Sequence, residues 1–114
     1  LLPEVRRSPV ETTPPTINDP ATAERVLAAV TQQMGEEFVQ LTPRTGMGAE
    51  DFSYFVQPEH GVKGVYFSVG GTPRDQVETA PSHHSPFFYV EPAPSIKSGV
   101  EATVISAMEL MSAP

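Results

Sequence analysis

Thirteen prolines are dispersed along the chain from Pro3 to Pro114, about twice the ordinary frequency. Each fixes φ and removes a backbone donor, so a proline can open a helix but not sit inside one. Their dispersal argues against a low-complexity tract and for a folded chain cut into short elements. Pro3, Pro9, Pro14 and Pro15 exclude a helix from Leu1 to Pro15, where Val5 and Val10 suit an edge strand. That stretch is too poor in apolar residues to fold alone, and it reads as a tail leading out of a preceding domain.

Asn18-Asp19-Pro20 predicts a helix start, with Asp19 capping free N–H groups and Pro20 at the first helical position. Ala23, Val26, Leu27, Val30 and Met34 recur at helical spacing as one apolar stripe, and Gly35 ends the helix. Phe38-Val39-Gln40-Leu41 predicts a short strand closed by Pro43. Glu50 to Phe55 predicts a helical turn or two before Pro58. Val65-Tyr66-Phe67-Ser68-Val69 is apolar on both faces, the pattern of a buried parallel strand, and Gly70-Gly71 ends it. After a polar loop from Thr72 to Ser82, Ser95 is expected to cap a last helix. Its Ile96, Val100, Val104, Met108 and Met111 fall on one face. Helices alternating with strands predict an α/β layer structure.

A chain of 114 residues suffices for one domain with a small core. Seven basic against fourteen acidic side chains leave a net charge of −7, which repels a phosphate backbone and argues against a nucleic-acid partner. No apolar run is long enough to cross a bilayer, so no membrane role is expected. Without cysteine there is neither a disulfide framework nor a thiolate metal site. The chain opens Leu1-Leu2-Pro3-Glu4, with no initiator methionine and no signal-peptide pattern, and reads as a piece of a longer protein. Its compartment is open: cytoplasmic or, if the parent carries a signal peptide, periplasmic or secreted.

His83-His84-Ser85-Pro86-Phe87-Phe88 and Glu50-Asp51 lie beside turn signals near predicted strand ends, where open α/β sheets place ligands. Imidazole and carboxylate together suit zinc, manganese, cobalt or nickel. Adjacent histidines in extended chain point to opposite sides, so at most one of the pair is expected to ligate. Taken alone, such a pair is more often a surface turn, and two acids at a helix start are favoured by the helix dipole without any ligand. A catalytic metal site needs about three protein ligands and an open position. This sequence holds too few candidates, so either there is no site or the other ligands lie upstream.

Thr16-Ile17-Asn18-Asp19, then Met47-Gly48-Ala49-Glu50-Asp51-Phe52-Ser53-Tyr54-Phe55, then Val65-Tyr66-Phe67-Ser68-Val69-Gly70, then His83-His84-Ser85-Pro86-Phe87-Phe88 and the closing amphipathic helix carry a resemblance. In order and spacing, over almost the whole chain, they resemble the C-terminal end of a metal-dependent amidohydrolase. The family is that of hippurate hydrolase, the N-acyl-amino-acid amidohydrolases and the plant auxin-conjugate hydrolases, related to aminoacylase and the di-metal carboxypeptidases. The Glu-Asp-Phe and His-Ser-Pro elements are specific as a pair and weak singly.

The resemblance implies an α/β fold, the C-terminal segment of a di-metal hydrolase catalytic domain with a central sheet flanked by helices. Residues 1–15 would be the exit from an inserted α+β lid and dimerisation domain, and residues 16–114 would complete the catalytic domain. His84 falls on the position whose imidazole binds one of two divalent metal ions, zinc, manganese, cobalt or nickel; His83 falls on a non-ligand position. Gly46, Gly48 and Ala49 match the small-residue loop that lies against the substrate carboxylate, where backbone N–H groups can hold an anion. Glu50 and Asp51 match the acidic pair beside it. No catalytic residue is expected in this chain, because the general-base carboxylate belongs to the upstream part. The implied parent enzyme hydrolyses the amide bond of N-acyl amino acids or similar small amides as a homodimer formed through the inserted domain, and the 114 residues alone would be inactive. The alternatives are a dipeptidase or carboxypeptidase of the same superfamily and, in a different class, a truncated homologue acting as a binding module. Tyr54 is expected in the core and His60 at the surface.

Overall fold

The computed structural model describes residues 12–41 and 50–112. Gly46, Gly48 and Ala49 lie outside the described residues, as does most of the expected exit segment.

The first helix, α1, is Pro20–Met34, where its start and stop signals place it. Asp19 Oδ1 accepts from the Thr22 backbone N–H at 2.9 Å and from the Thr22 hydroxyl at 2.6 Å. Pro20 occupies the first turn, where a missing donor costs nothing. Gly35 ends the helix at φ +103°, its N–H donating to the Thr31 carbonyl at 3.0 Å. Side chains bearing a Cβ adopt that angle only under strain. Val26 and Ala29 are buried, while Ala23, Leu27, Val30 and Met34 of the expected stripe are half-buried.

Short 3-10 turns follow at Glu36–Phe38, Asp51–Tyr54 and Pro58–His60. The first takes Phe38 out of the strand expected over Phe38–Leu41, because the Phe38 N–H closes back on the Gly35 carbonyl at 3.2 Å. The second is the helical turn expected before Pro58.

The second long helix, α2, is Pro92–Met111 and starts earlier than a cap at Ser95 would allow. Pro92 and Pro94 both fit its first turn, whose N–H groups have no carbonyl to bond. Ser95 is inside the helix, its hydroxyl donating to the Glu91 carbonyl at 2.6 Å. The sheltered positions of α2 are Ser95, Ser98, Gly99, Ala102, Ile105, Ser106 and Glu109, mostly small residues with Ile105 among them, and α2 packs against α1. Ser106 is buried with its hydroxyl donating to the Ala102 carbonyl at 2.6 Å, which satisfies it within the helix. The bulky stripe faces outward, with Ile96 65% and Met111 82% exposed. Small side chains let packed elements approach closely, and on α2 they predominate on the sheltered side. None of the described helices is long and apolar enough to cross a membrane.

Val65–Val69 pairs with no strand among the described residues, and Phe67 and Val69 are exposed. A side chain holds its backbone instead. Asn18 Nδ2 donates to the Tyr66 carbonyl at 2.9 Å, and the Tyr66 N–H donates to Asn18 Oδ1 at 2.7 Å. A carboxamide offers the same donor and acceptor as a peptide group, so Asn18 fills one rung of the ladder a neighbouring strand would supply. The Asp19 N–H adds a bond to the Gly64 carbonyl at 3.1 Å, and the Glu91 N–H bonds the Gly71 carbonyl at 2.9 Å. The segment is thus tied to the start of α1 at one end and of α2 at the other.

Candidate functional site

The acidic pair opens the Asp51–Tyr54 turn, with Glu50 half-buried in the capping position and Asp51 exposed. The Ser53 N–H returns to the Glu50 carbonyl at 3.0 Å, and Gln57 Nε2 donates to the Ser53 carbonyl at 2.5 Å. Phe52 and Ser53 point inward. The Phe52 ring lies 5.6 Å from the Tyr66 ring, and Ser53 is fully buried. Phe52 and Val56 close over Gly64 so tightly that a Cβ there would come within 2.9 Å of the Phe52 ring. The acidic turn therefore rests on the segment that Asn18 clamps. Tyr54 corrects its expected core position: it is exposed, with its hydroxyl donating to the Thr12 carbonyl at 3.0 Å. The turn commits Phe52 and Ser53 inward, which puts Tyr54 on the outside. His60 is exposed as expected.

The second candidate is the turn around Ser85. Its N–H donates to the Ser82 carbonyl at 2.8 Å, its carbonyl accepts from the Phe88 N–H at 3.0 Å, and its hydroxyl accepts from the Phe87 N–H at 3.1 Å. His83 and His84 are exposed on this turn with ring centroids 4.3 Å apart, and the edge of Phe88 meets His83 at 6.4 Å. The expectation that the two imidazoles point to opposite sides is overturned. It assumed extended backbone, and a turn swings neighbouring side chains together.

The described residues bring no three or more His, Cys, Asp or Glu side chains together as a metal site. Exposed imidazoles on a pinned turn fit a borderline divalent ion as part of a donor set, and the rest of the set has to come from elsewhere. Two open clefts, of about 510 and 200 Å³, are lined by none of Glu50, Asp51, His83 and His84. Asp19, outside both candidate turns, has a perturbed carboxyl. The Thr22 hydroxyl and then its backbone N–H hold Asp19 below its ordinary range; burial opposes them and the Lys63 charge reinforces them.

Asn18 was legible as the residue before a helix cap and as part of the Thr16–Asp19 element of the resemblance, with no role attached to its side chain. Its bonding partner is 48 residues away in sequence, and no local pattern announces it.

The family model described as Peptidase family M20/M25/M40 matches residues 4–108. No curated protein matches the chain, and no solved structure does.

Proposed function

This chain belongs to peptidase family M20/M25/M40, a family of metal-dependent hydrolases, and we propose that it completes the catalytic domain of an enzyme that hydrolyses the amide bond of an N-acyl amino acid or a similar small carboxylate-bearing amide. The observation that carries the proposal is the exposed His84 on a turn pinned at Ser85. Such a side chain offers one directed nitrogen to a metal while its position is fixed by backbone bonds rather than by packing.

His84 holds one of two divalent ions, zinc, manganese, cobalt or nickel, and His83 packs between it and the edge of Phe88. When bound, such ions polarise the amide carbonyl and acidify a water. The loop of Gly46, Gly48 and Ala49 meets the substrate carboxylate through backbone N–H groups, and Glu50 and Asp51 complete its substrate-facing end. The inward anchoring of Phe52 and Ser53 fixes that end of the loop. Val65–Val69 is one strand of a central sheet, and the outward stripe of α2 is covered by the remainder of that α/β domain. Residues 1–15 lead out of an inserted lid and dimerisation domain, so the enzyme is a homodimer acting on a small molecule.

The test is substitution in the full-length enzyme with activity and bound metal both measured. His84→Ala is expected to lower turnover of an N-acyl amino acid by about 100-fold and to lower metal content, with partial recovery in excess metal. His83→Ala is expected to cost far less. Equal and small effects would return both histidines to a plain surface turn, and a larger loss at His83 would move the ligand to that residue.

A further inference from the structure

Asn18 belongs to neither candidate turn, yet the contacts run from it to one of them without a gap. Its carboxamide takes both the carbonyl and the N–H of Tyr66, at 2.9 and 2.7 Å. The Tyr66 ring supports Phe52 at 5.6 Å between centroids, and Phe52 directly follows Asp51. The neighbouring Gly64, bonded through its carbonyl to the Asp19 N–H, is the surface on which Phe52 and Val56 close. Among the described residues no strand neighbour sets the height of this backbone. A carboxamide can do so because it is donor and acceptor at once, whereas a carboxylate of the same shape would put a second acceptor against the Tyr66 carbonyl.

We propose that Asn18 is a positioning residue for substrate binding: by clamping the main chain at Tyr66, on whose ring Phe52 rests, it sets where Glu50 and Asp51 stand. The proposal rests on the substrate-facing role given to that loop end above. Displacing the loop end weakens contacts made alike to substrate and to transition state, so the loss falls on KM rather than on kcat.

The experiment compares Asn18→Asp, Phe52→Leu and Glu50→Gln in the full-length enzyme, with KM and kcat measured for an N-acyl amino acid and kcat normalised to bound metal. At neutral pH Asn18→Asp is expected to raise KM about tenfold, with kcat within about twofold of the parent. A role confined to stability would lower the number of active molecules and leave KM alone. The Asn18→Asp defect is expected to shrink on acidification, because a protonated carboxyl regains an O–H donor for the Tyr66 carbonyl. Phe52→Leu breaks the next link without touching a polar group and is expected to raise KM in the same way, which keeps the test decisive if Asn18→Asp does not fold. An unchanged KM in Asn18→Asp or in Phe52→Leu, with a raised KM in Glu50→Gln, overturns the clamp alone. An unchanged KM in Glu50→Gln as well overturns the loop reading and the clamp with it.

Discussion

Arg25 on α1 and Glu109 in the last turn of α2 are joined twice over: Nε donates to the Glu109 carboxylate at 3.1 Å, and a terminal guanidinium nitrogen donates to the Glu109 backbone carbonyl at 2.8 Å. The same nitrogen stands 3.0 Å from the carboxylate. One side chain therefore neutralises a charge, shares with the Ser112 hydroxyl, at 2.6 Å, a carbonyl near the helix end, and places a cation where the helix dipole favours it.

With side chains 41% and 33% exposed, the charge–charge part is largely screened by solvent, and the bond to the carbonyl survives better. Arg25→Ala is expected to lower stability by about 1 kcal/mol. Arg25→Lys should recover only part of this, since a lysine cannot bond both acceptors with one planar fork. Denaturant midpoints of the full-length enzyme in low and high salt check both statements: the carboxylate share fades with salt and the carbonyl share does not.

Asp19 gives a pH dependence whose sign is fixed. Its carboxyl is held below the ordinary range in the fold, mainly by the Thr22 hydroxyl and then by the Thr22 N–H. The folded chain thus prefers the ionised form more than the unfolded chain does. That contribution is complete above the unfolded value and is lost as pH falls through the lowered folded value. The gap in melting temperature between the parent and Asp19→Ala is expected to narrow on acidification through the carboxylate range. A gap independent of pH would leave only an uncharged cap.

Gly64 is where the acidic turn comes closest to the clamped segment. A Cβ there would stand 2.9 Å from the Phe52 ring and against a Val56 methyl, while at Gly70 it would meet nothing within 4 Å. Gly64→Ala is expected to cost about 1–3 kcal/mol through displacement of the turn, and Gly70→Ala far less. Chemical denaturation of the two variants side by side decides it. Backbone entropy alone would favour alanine at both sites, so equal effects at the two would mean that the close approach at Gly64 does not set the cost.

What was legible in the sequence is what neighbouring residues decide among themselves. Asp19, Pro20 and Gly35 mark the ends of α1 because capping and left-handed backbone are local events. The turn at Asp51–Tyr54 was legible for the same reason. The start of α2 was missed because Pro92 and Pro94 look like helix breakers, although a first turn accepts them. Tyr54, the His83–His84 pair and the Asn18–Tyr66 clamp were not legible, since each depends on a turn or a partner that periodicity does not encode. The site divides likewise. The motifs around Glu50 and His84 drew attention to both segments, and the support beneath the first comes from contacts between motifs far apart in sequence, Asn18 with Tyr66 and Tyr66 with Phe52.

The two faces of α2 respond to opposite kinds of change. On the Ala102, Ile105 and Ser106 side the helix is sheltered, so added volume is resisted there. On the Val100, Val104 and Met108 side nothing among the described residues limits size, and any apolar side chain is accommodated equally until another surface is laid over it. Most of the bulky apolar surface along this helix therefore points away from its sheltered side, with Ile105 the exception. A search for its covered side by pairing greasy faces would choose the Val100, Val104 and Met108 side, and the small residues, which such a search ignores, mark together with Ile105 the side that is covered.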